Sequence, residues 1–205
     1  MDSIRDLGVE IDSALLFDKH IDSIVNKAFQ RLAVLFRSFS TKDPEFFCLA
    51  YKVYVRPILE YCTQIWNPFL NRNIVLLESV QRYFTRRIKI VNMYEYKDRL
   101  KLLGLDSLEK RRLKFDLIMY YKILHGYVNV DYRSFFTLNQ NVKNTRTNGL
   151  MLCKPLTKSK HPSNTFSIRC INCWNSLPIE IVKANNINVF KNGLNKFDFS
   201  NFLLP

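Results

Sequence analysis

The sequence predicts a mainly α protein, in which about four or five helices between residues 18 and 126 form an irregular bundle. One β-strand precedes the bundle, and a loop-rich, basic C-terminal part follows it. Before Gly126, apolar residues recur at three- and four-residue steps, and a single segment alternates apolar with polar or small residues. After Gly126, Asn, Thr, Lys and Ser become frequent. With 205 residues and 47% hydrophobic content, the chain has enough apolar surface for a packed core, which excludes a disordered tail.

The N-terminal strand is predicted over residues 7–12, where apolar side chains alternate with small or acidic ones. Glu10 and Asp12 fall on the same face of this strand. Two carboxylates on one face could hold a cation, but acidic side chains on a solvated face are the more common arrangement. We therefore adopt the solvated face as the interpretation.

The first helix is predicted over residues 18–39 by a strong apolar stripe. Its members are Ile21, Ile24, Val25, Ala28, Leu32, Leu35, Phe36 and Phe39. Asp43 and Pro44 then indicate a helix start, with Asp43 as N-cap and Pro44 at the first helical position. This second helix meets Pro57, where we expect it to kink or restart, and Trp66-Asn67-Pro68 ends it.

Residues 73–90 show the clearest helical periodicity in the chain. The apolar face carries Leu77, Val80, Phe84 and Ile88, and a different face carries Arg82, Arg86 and Lys89. We expect such a helix to bury its apolar face and to present its basic face to phosphates.

Two further helices complete the predicted bundle. The first covers about residues 94–103 and ends at Gly104, and the second covers residues 108–125 and ends at Gly126. Asp106 and Ser107 can cap the second helix. One of its sectors carries Lys110, Arg111, Lys114 and Lys122.

The C-terminal part is predicted to consist of loops with short strands near residues 150–153 and 166–169. Short helices are predicted over residues 168–174 and 189–197, with Leu177-Pro178 between them. This part therefore contributes less regular structure than the bundle.

The net charge of +13 comes from two segments. Residues 82–122 carry 12 basic and 5 acidic side chains, and residues 132–179 carry 7 basic and no acidic ones, whereas residues 1–81 carry 9 and 10. Basic segments of this kind bind polyanions by neutralising phosphates. Nucleic acid is therefore the first partner to consider, with an anionic membrane surface, an acidic protein or simple solvation as alternatives.

The motifs of common enzyme classes are absent from the sequence. It has no Asp-Asp dipeptide for a two-metal polymerase site, no nucleophile with an identifiable base and no glycine-rich phosphate loop. Cys170 and Cys173 form a Cys-x-x-Cys pair, but no matching pair lies at zinc-site spacing, and His161 and Cys153 are the nearest candidates. We therefore interpret both cysteines as core or near-core residues and predict no catalytic residue, metal site or cofactor.

Tyrosines are interleaved with the first basic segment. Tyr83 and Tyr96 are the candidates for stacking on bases or sugars, whereas Phe84 and Tyr120 lie on apolar stripes and are expected in the core. Arginines that bind the nucleic-acid backbone, next to tyrosines that stack on bases, are typical of nucleic-acid-binding proteins.

A series of motifs runs through nearly the whole chain in a familiar order. The first matches are residues 7–12, Phe17, His20-Ile21, Lys27-Ala28, residues 54–61 and Trp66-Asn67-Pro68. The central matches are residues 77–82, Phe84-Thr85-Arg86, Tyr96, Arg99-Leu100, Leu103, Leu105, Ser107-Leu108-Glu109, Arg111-Arg112, Asp116-Leu117 and Tyr121-Lys122-Ile123. The last matches are Thr145-Arg146, Arg169, Trp174-Asn175, Leu177-Pro178, Phe190-Lys191 and Leu194. This order resembles the polyprotein of jockey-like non-LTR (LINE-type) retrotransposons, just downstream of the polymerase palm.

The resemblance implies a domain organisation and the absence of catalysis. Residues 1–16 would be a residual palm strand, residues 17–130 a thumb-like helical bundle and residues 131–205 a basic C-terminal region. The palm motifs with the metal-binding aspartates, the fingers and the endonuclease domain of that family would lie N-terminal of Met1. The chain is thus expected to be a fragment of an RNA-directed DNA polymerase, or reverse transcriptase, of a transposable element, and not an enzyme by itself.

The thumb of that family grips the template-primer duplex, so the resemblance implies an RNA or DNA duplex as partner. Arg82, Arg86, Arg111 and Arg112 match family positions within the first basic segment. The predicted nucleic-acid-binding residues are Arg82, Arg86, Arg87, Lys89, Lys110, Arg111, Arg112, Lys114, Tyr83 and Tyr96.

Two other functions remain open at this point. The chain could be a protein-interaction scaffold whose unpaired strand docks a partner, such as the polymerase of an intact element in trans, or a remnant without function. No signal peptide or membrane-spanning run is visible, and five cysteines suit reduced thiols, so we expect no membrane partner, no secretion and an intracellular protein. A nuclear location is implied by the family alone.

Overall fold

The computed structural model describes residues 3–41, 43–139, 150–156 and 164–204. It is mainly helical with one small N-terminal sheet, so the predicted fold class is confirmed. The chain divides into two compact units, Met1–Arg112 and Leu113–Pro205. The first unit contains the segment predicted as a residual palm strand and most of the predicted bundle.

The N-terminal sheet is an antiparallel hairpin of β1 (Ser3–Asp6) and β2 (Val9–Asp12), with Ile4 opposite Ile11. Leu7 and Gly8 form its two-residue turn, and both have positive φ angles, 43° and 87°, as a tight hairpin turn requires. The sequence analysis predicted β2 but missed β1. Three of the four β1 residues are exposed, and a strand without a buried face leaves no alternating pattern to recognise.

Helix α1 (Asp18–Ser38) buries the predicted apolar stripe, with Ile21, Ala28 and Leu32 fully covered. Phe39 lies beyond the helix end and is exposed. Asp12 holds the loop before α1, because its carboxylate accepts hydrogen bonds from the backbone N–H groups of Ala14, Leu16 and Phe17 at 2.6–3.1 Å.

The second predicted helix is interrupted just before Pro57, as predicted. Asp43 caps α2 (Pro44–Ala50) by accepting hydrogen bonds from the N–H groups of Glu45 and Phe46, as predicted. A wide helical turn (Tyr51–Val55) follows, and α3 (Arg56–Glu60) restarts with Pro57 in its first turn, where its missing N–H costs nothing. The short α4 (Thr63–Trp66) completes this part.

Helices α5 (Asn71–Arg87), α6 (Tyr96–Leu102) and α7 (Leu108–Leu124) correspond to the three predicted helices that follow. Helix α5 ends earlier than predicted because Ile88 adopts an extended conformation. Ser107 caps α7 through its Oγ, which accepts a hydrogen bond from the Lys110 N–H at 3.2 Å. The boundary between the two units falls inside α7.

A buried polar network joins α5, α6 and the start of α7 inside the first unit. The Glu78 carboxylate accepts a hydrogen bond from the Leu108 N–H at 3.0 Å and another from the Tyr96 hydroxyl. The Gln81 side chain accepts a hydrogen bond from the Tyr51 hydroxyl at 3.0 Å and donates one to the Tyr96 hydroxyl at 3.1 Å. Because buried polar groups are costly without partners, this network specifies how α6 packs on α5.

The second unit contains short helices after α7. They are α8 (Phe166–Arg169), α9 (Ile171–Asn175), α10 (Ile179–Val182) and α11 (Ile187–Lys196), with 3₁₀ turns at Tyr132–Ser134 and Ser200–Phe202. The strand predicted near residues 166–169 is wrong, because these residues form a helical turn. A tertiary contact accounts for the difference, since the turn places the Arg169 guanidinium against the Asp116 carboxylate at 2.7 and 2.8 Å.

Trp174 and Asn175 fasten residues 150–152 to α9. The Trp174 indole donates a hydrogen bond to the Leu150 carbonyl at 2.9 Å. The Asn175 amide both accepts a hydrogen bond from the Leu152 N–H at 2.9 Å and donates one to its carbonyl at 2.8 Å. The strand predicted near residues 150–153 is reduced to a single bridge between Leu138 and Leu152.

Candidate nucleic-acid interface

Four basic side chains at the C-terminal end of α5 are exposed: Arg82, Arg86, Arg87 and Lys89. We call them the α5 basic surface. They are exposed because the opposite face of the helix is fixed in the core, where Leu77, Val80 and Phe84 have no exposed surface. The Phe84 ring stacks on the Tyr51 ring with centroids 4.3 Å apart, which sets the rotation of α5 about its axis.

The α5 basic surface has no ion pair with a carboxylate among the described residues. The other end of the same helix differs, because Arg72 pairs there with Asp18 at 2.5 Å. Arg87 lies over the Phe36 ring, with 5.1 Å between its guanidinium carbon and the ring centroid. Cations in the last turn of a helix are also favoured by the helix dipole, which applies here to Arg86 and Arg87.

A hollow of about 530 Å³ adjoins this surface, and we call it the α5–α6 hollow. Helix α5 contributes Arg82, Tyr83 and Arg86 to its lining, and α6 contributes Tyr96 and Arg99. The four residues of the connecting segment 92–95 complete it. Four of the predicted site residues are thus brought together: Arg82, Tyr83, Arg86 and Tyr96.

Tyr96 does not offer a stacking surface in the way predicted. The guanidinium groups of Arg82 and Arg99 lie against its ring, 4.7 and 5.5 Å from the centroid, and its hydroxyl donates a hydrogen bond to Glu78. Burial and the Glu78 carboxylate raise the pKa of Tyr96 well above its ordinary value, so the hydroxyl remains a donor. Tyr96 therefore positions Arg82 at the rim of the hollow.

Tyr83 and Tyr94 are the accessible tyrosines of the hollow, with 41% and 47% of their surface exposed. The Tyr83 ring meets the Phe29 ring edge-on, with centroids 5.6 Å apart. Tyr94, together with Met93, was not among the predicted site residues. Both lie in an irregular turn between α5 and α6, where no helical spacing marks a residue as exposed.

Arg99 organises the hollow although it is only 8% exposed. Its Nε donates a hydrogen bond to the Thr85 Oγ1 at 3.1 Å, and its Nη1 donates one to the Tyr94 carbonyl at 2.7 Å. The turn that carries Tyr94 is thereby attached to α5. The charge of Arg99 suggested a basic surface, but only the structure reveals that it is a buried support.

The sequence predicts Arg111 and Arg112 as nucleic-acid contacts, but the structure gives both side chains partners inside the first unit. Arg111 forms a two-fold ion pair with Glu60 through Nε and Nη2, and Arg112, 1% exposed, donates from Nε to the Asn67 side chain at 3.0 Å. Burial by itself would lower the pKa of Arg111, whereas Glu60 raises it above the ordinary value. Side chains held in this way are not available to a polyanion.

Lys110 and Lys114 also have partners within their own units. The Lys110 ammonium lies 2.9 Å from the Asp106 carboxylate. The Lys114 ammonium donates a hydrogen bond to the Asn195 side chain at 3.0 Å and lies 6.0 Å from the Phe199 ring centroid. The basic sector predicted on α7 therefore does not form an open surface.

The cysteine pair lies in the core of the second unit, as predicted. Cys170 and Cys173 are buried, and all five cysteines are free thiols. Burial raises the pKa of the Cys173 thiol to about 12, and burial together with Asp116 raises that of Cys170, so both stay protonated. Within the described residues, no group of three His, Cys, Asp or Glu side chains is arranged to hold a metal ion.

The acidic side chains of β2 make hydrogen bonds within the protein, so this face is not simply solvated. Glu10 accepts a hydrogen bond from the Ser3 hydroxyl at 3.0 Å, and Asp12 binds the backbone before α1. Burial opposes ionisation of Asp12, but hydrogen bonds from the N–H groups of Leu16, Phe17 and Ala14 lower its pKa overall.

Part of the second basic segment lies outside the described residues. This applies to Lys143, Arg146, Lys158 and Lys160, and also to His161 and the Thr145-Arg146 motif. None of the helices in the described ranges combines the length and the apolar character needed to cross a bilayer.

Comparison with known proteins identifies one similar sequence of unassigned function. An uncharacterized protein of Caenorhabditis elegans, B0403.1, is 33% identical over 126 residues. The match covers 60% of this chain and 64% of that protein, so the chain spans less than two thirds of its relative's length. No protein-family profile and no solved structure matches the chain.

Proposed function

We propose that this chain corresponds to the thumb-like and downstream region of a jockey-like non-LTR retrotransposon reverse transcriptase. Its biochemical property is the sequence-independent binding of a nucleic-acid template-primer duplex. The activity is binding without polymerisation, because none of the residues matched to that family is a metal-binding aspartate of the palm.

The observation that carries the proposal is the α5 basic surface. Arg82 and Arg86 are one helical turn apart, Lys89 follows them, and none has a carboxylate partner among the described residues. Unpaired cations on a helix anchored in a core are suited to neutralising phosphates along one strand. Such contacts position a duplex and carry no base information, so we expect no sequence preference.

The internal pairing of motif residues also supports the proposal. Glu60 pairs with Arg111, Asn67 with Arg112, and Asp116 with Arg169, and each partner belongs to a motif of the resemblance. Motifs far apart in the sequence are thus joined by specific contacts, two pairs inside the first unit and one inside the second. We therefore assign these residues to the maintenance of the fold and the α5 basic surface to the partner.

A salt titration of the full chain tests the proposal. Fluorescence anisotropy with an RNA–DNA hybrid and with DNA duplexes of different sequence should give similar affinities for all duplexes. The logarithm of the binding constant should fall with the logarithm of salt concentration with a slope of about −3 to −4, as expected for three or four phosphate contacts. Absence of binding at low salt, or a strong preference for one sequence, contradicts the proposal.

A protein-interaction scaffold is the less supported alternative. It depended on an unpaired N-terminal strand, and β2 pairs with β1 along its whole length. If the chain is monomeric in light scattering and retains nucleic acid, the result supports nucleic-acid binding over the scaffold. A stable complex with the polymerase of an intact element, formed without nucleic acid, favours the scaffold.

A further inference from the structure

The α5–α6 hollow has more polar features than contact with a duplex backbone requires. Arg82 and Arg86 form its basic side, whereas Asn92, Tyr94 and Glu95 lie in the connecting segment. A phosphate backbone can reach the arginines from outside. The polar groups of the connecting segment contact a ligand only if that ligand enters the hollow.

The hollow is lined by charges of both signs, as a site for one nucleotide requires. The two arginines favour a phosphate, and the Glu95 carboxylate disfavours a second one nearby. Glu95 stands at the N-cap position of α6, but its side chain makes no capping hydrogen bond. Its carboxylate is therefore an acceptor for a donor on the ligand, such as the exocyclic amino group of a base.

The backbone that carries the proposed stacking residue, Tyr94, is held by hydrogen bonds before a ligand binds. The Tyr94 N–H donates a hydrogen bond to the Val91 carbonyl at 3.1 Å, and Arg99 binds the Tyr94 carbonyl at 2.7 Å. Val91 itself is buried, with 4% of its surface exposed. The backbone of Tyr94 is thus fixed at both ends while 47% of the residue remains exposed, so binding need not order the backbone of this turn.

We infer that the α5–α6 hollow binds one unpaired nucleotide, with the phosphate at Arg82 and Arg86, the base against Tyr94 and an exocyclic amino group at Glu95. This inference rests on the proposed function. The volume of about 530 Å³ is within the range of small-ligand sites. In a duplex the base faces are stacked and the pairing edges occupied, so only a nucleotide outside the duplex can use Tyr94 and Glu95.

The test compares a blunt DNA duplex with the same duplex carrying a single-nucleotide overhang, at the 5′ or the 3′ end. An overhanging deoxycytidine should raise the affinity of the full chain roughly five- to a hundredfold through stacking at one of the two ends. Deoxyuridine has no exocyclic amino group and should bind roughly three- to tenfold more weakly than deoxycytidine.

Two substitutions separate the contributions. Tyr94→Leu should remove the advantage of the overhang and leave blunt-duplex affinity unchanged, whereas Tyr94→Phe should keep the advantage. Glu95→Gln should abolish the preference for deoxycytidine over deoxyuridine and retain the stacking gain. Circular dichroism of each variant establishes that it is folded.

The outcomes distinguish this inference from the proposed function. Binding of the blunt duplex with no gain from either overhang overturns the inference and leaves the proposed function standing. A gain that survives Tyr94→Leu, or a base preference that survives Glu95→Gln, also overturns it. Absence of binding to any duplex at low salt overturns both.

Discussion

At the scale of single residues, arginine has two opposite functions in this chain. Arg111, Arg112 and Arg169 are largely covered and bind acidic or amide side chains within their own units. Arg82 and Arg86 are exposed and have no acidic partner among the described residues. Charge alone does not separate these functions, because partners such as Glu60 and Asp116 lie more than 50 residues away in the sequence.

The ion pair between Asp116 and Arg169 gives a stability prediction. Asp116 is fully covered and Arg169 has 8% of its side chain exposed, so removing one partner leaves a buried charge uncompensated. We expect Asp116→Leu to lower the free energy of unfolding by about 3–5 kcal/mol in urea denaturation.

The double variant Asp116→Leu with Arg169→Met should recover most of that loss, because both charges are then gone. Asp98→Leu is a control, since Asp98 forms an exposed pair with Lys101 and should change stability by about 1 kcal/mol or less. A loss for Asp116→Leu as small as for this control contradicts the prediction.

At the scale of elements, regular helices with a buried stripe were predictable and elements defined by tertiary contacts were not. The cap at Asp43, the restart at Pro57 and the stops at Gly104 and Gly126 follow from local backbone chemistry, and the structure confirms them. Strand β1 has no buried face, and helix α8 depends on Asp116, which lies more than 50 residues away, so no local pattern marks either element.

The candidate site likewise has one part that was predictable from the sequence and one part that was not. The exposure of Arg82 and Arg86 followed from the periodicity of α5, because one face of a helix determines the other, whereas Lys89 lies beyond the end of the helix. The hollow beside them could not be predicted, because it is formed by an irregular turn that carries Tyr94. Tyr96 was assigned to the interface by its place among basic residues and Arg112 by its charge and the resemblance. Only their contacts reveal that Tyr96 is bonded to Glu78 and that Arg112 is buried.

The hairpin is joined to α1 by a hydrogen bond that depends on pH. The Glu10 N–H donates to the Nδ1 of His20 at 3.3 Å, which requires that nitrogen to be unprotonated. Burial lowers the pKa of His20 below its ordinary value of 6.5; Glu10 opposes this effect, and Lys27 and Arg5 reinforce it. The unfolded chain then binds more protons than the folded one, so stability is lost as the pH falls below 6.5.

We therefore expect the free energy of unfolding to decrease between about pH 8 and about pH 5.5, and His20→Gln to reduce this decrease. Urea denaturation at both pH values measures the effect. An equal decrease in the wild type and the variant contradicts the assignment to His20.

At the scale of the whole molecule, the two basic segments differ in how much of each the structure describes. The first segment contains internal supports, such as Arg99 on α6 and Arg111 on α7, exposed lysines on α6, and an open group at the end of α5. Much of the second segment lies outside the described residues. The net charge of +13 favours a polyanionic partner, and the proposed location of the contact follows from where exposed cations without acidic partners adjoin one another, at the end of α5.

The most direct test of the account is the salt dependence of duplex binding by Arg82→Ala, Arg86→Ala and Lys89→Ala combined. Each lost phosphate contact should reduce the steepness of the logarithmic salt slope by about 0.9, so the variant should lose about 3 in slope and bind all sequences more weakly. The matched control removes three exposed lysines of the second unit, Lys183, Lys191 and Lys196, and should keep most of the slope. Equal slopes for the two variants would contradict the assignment of nucleic-acid binding to the α5 basic surface.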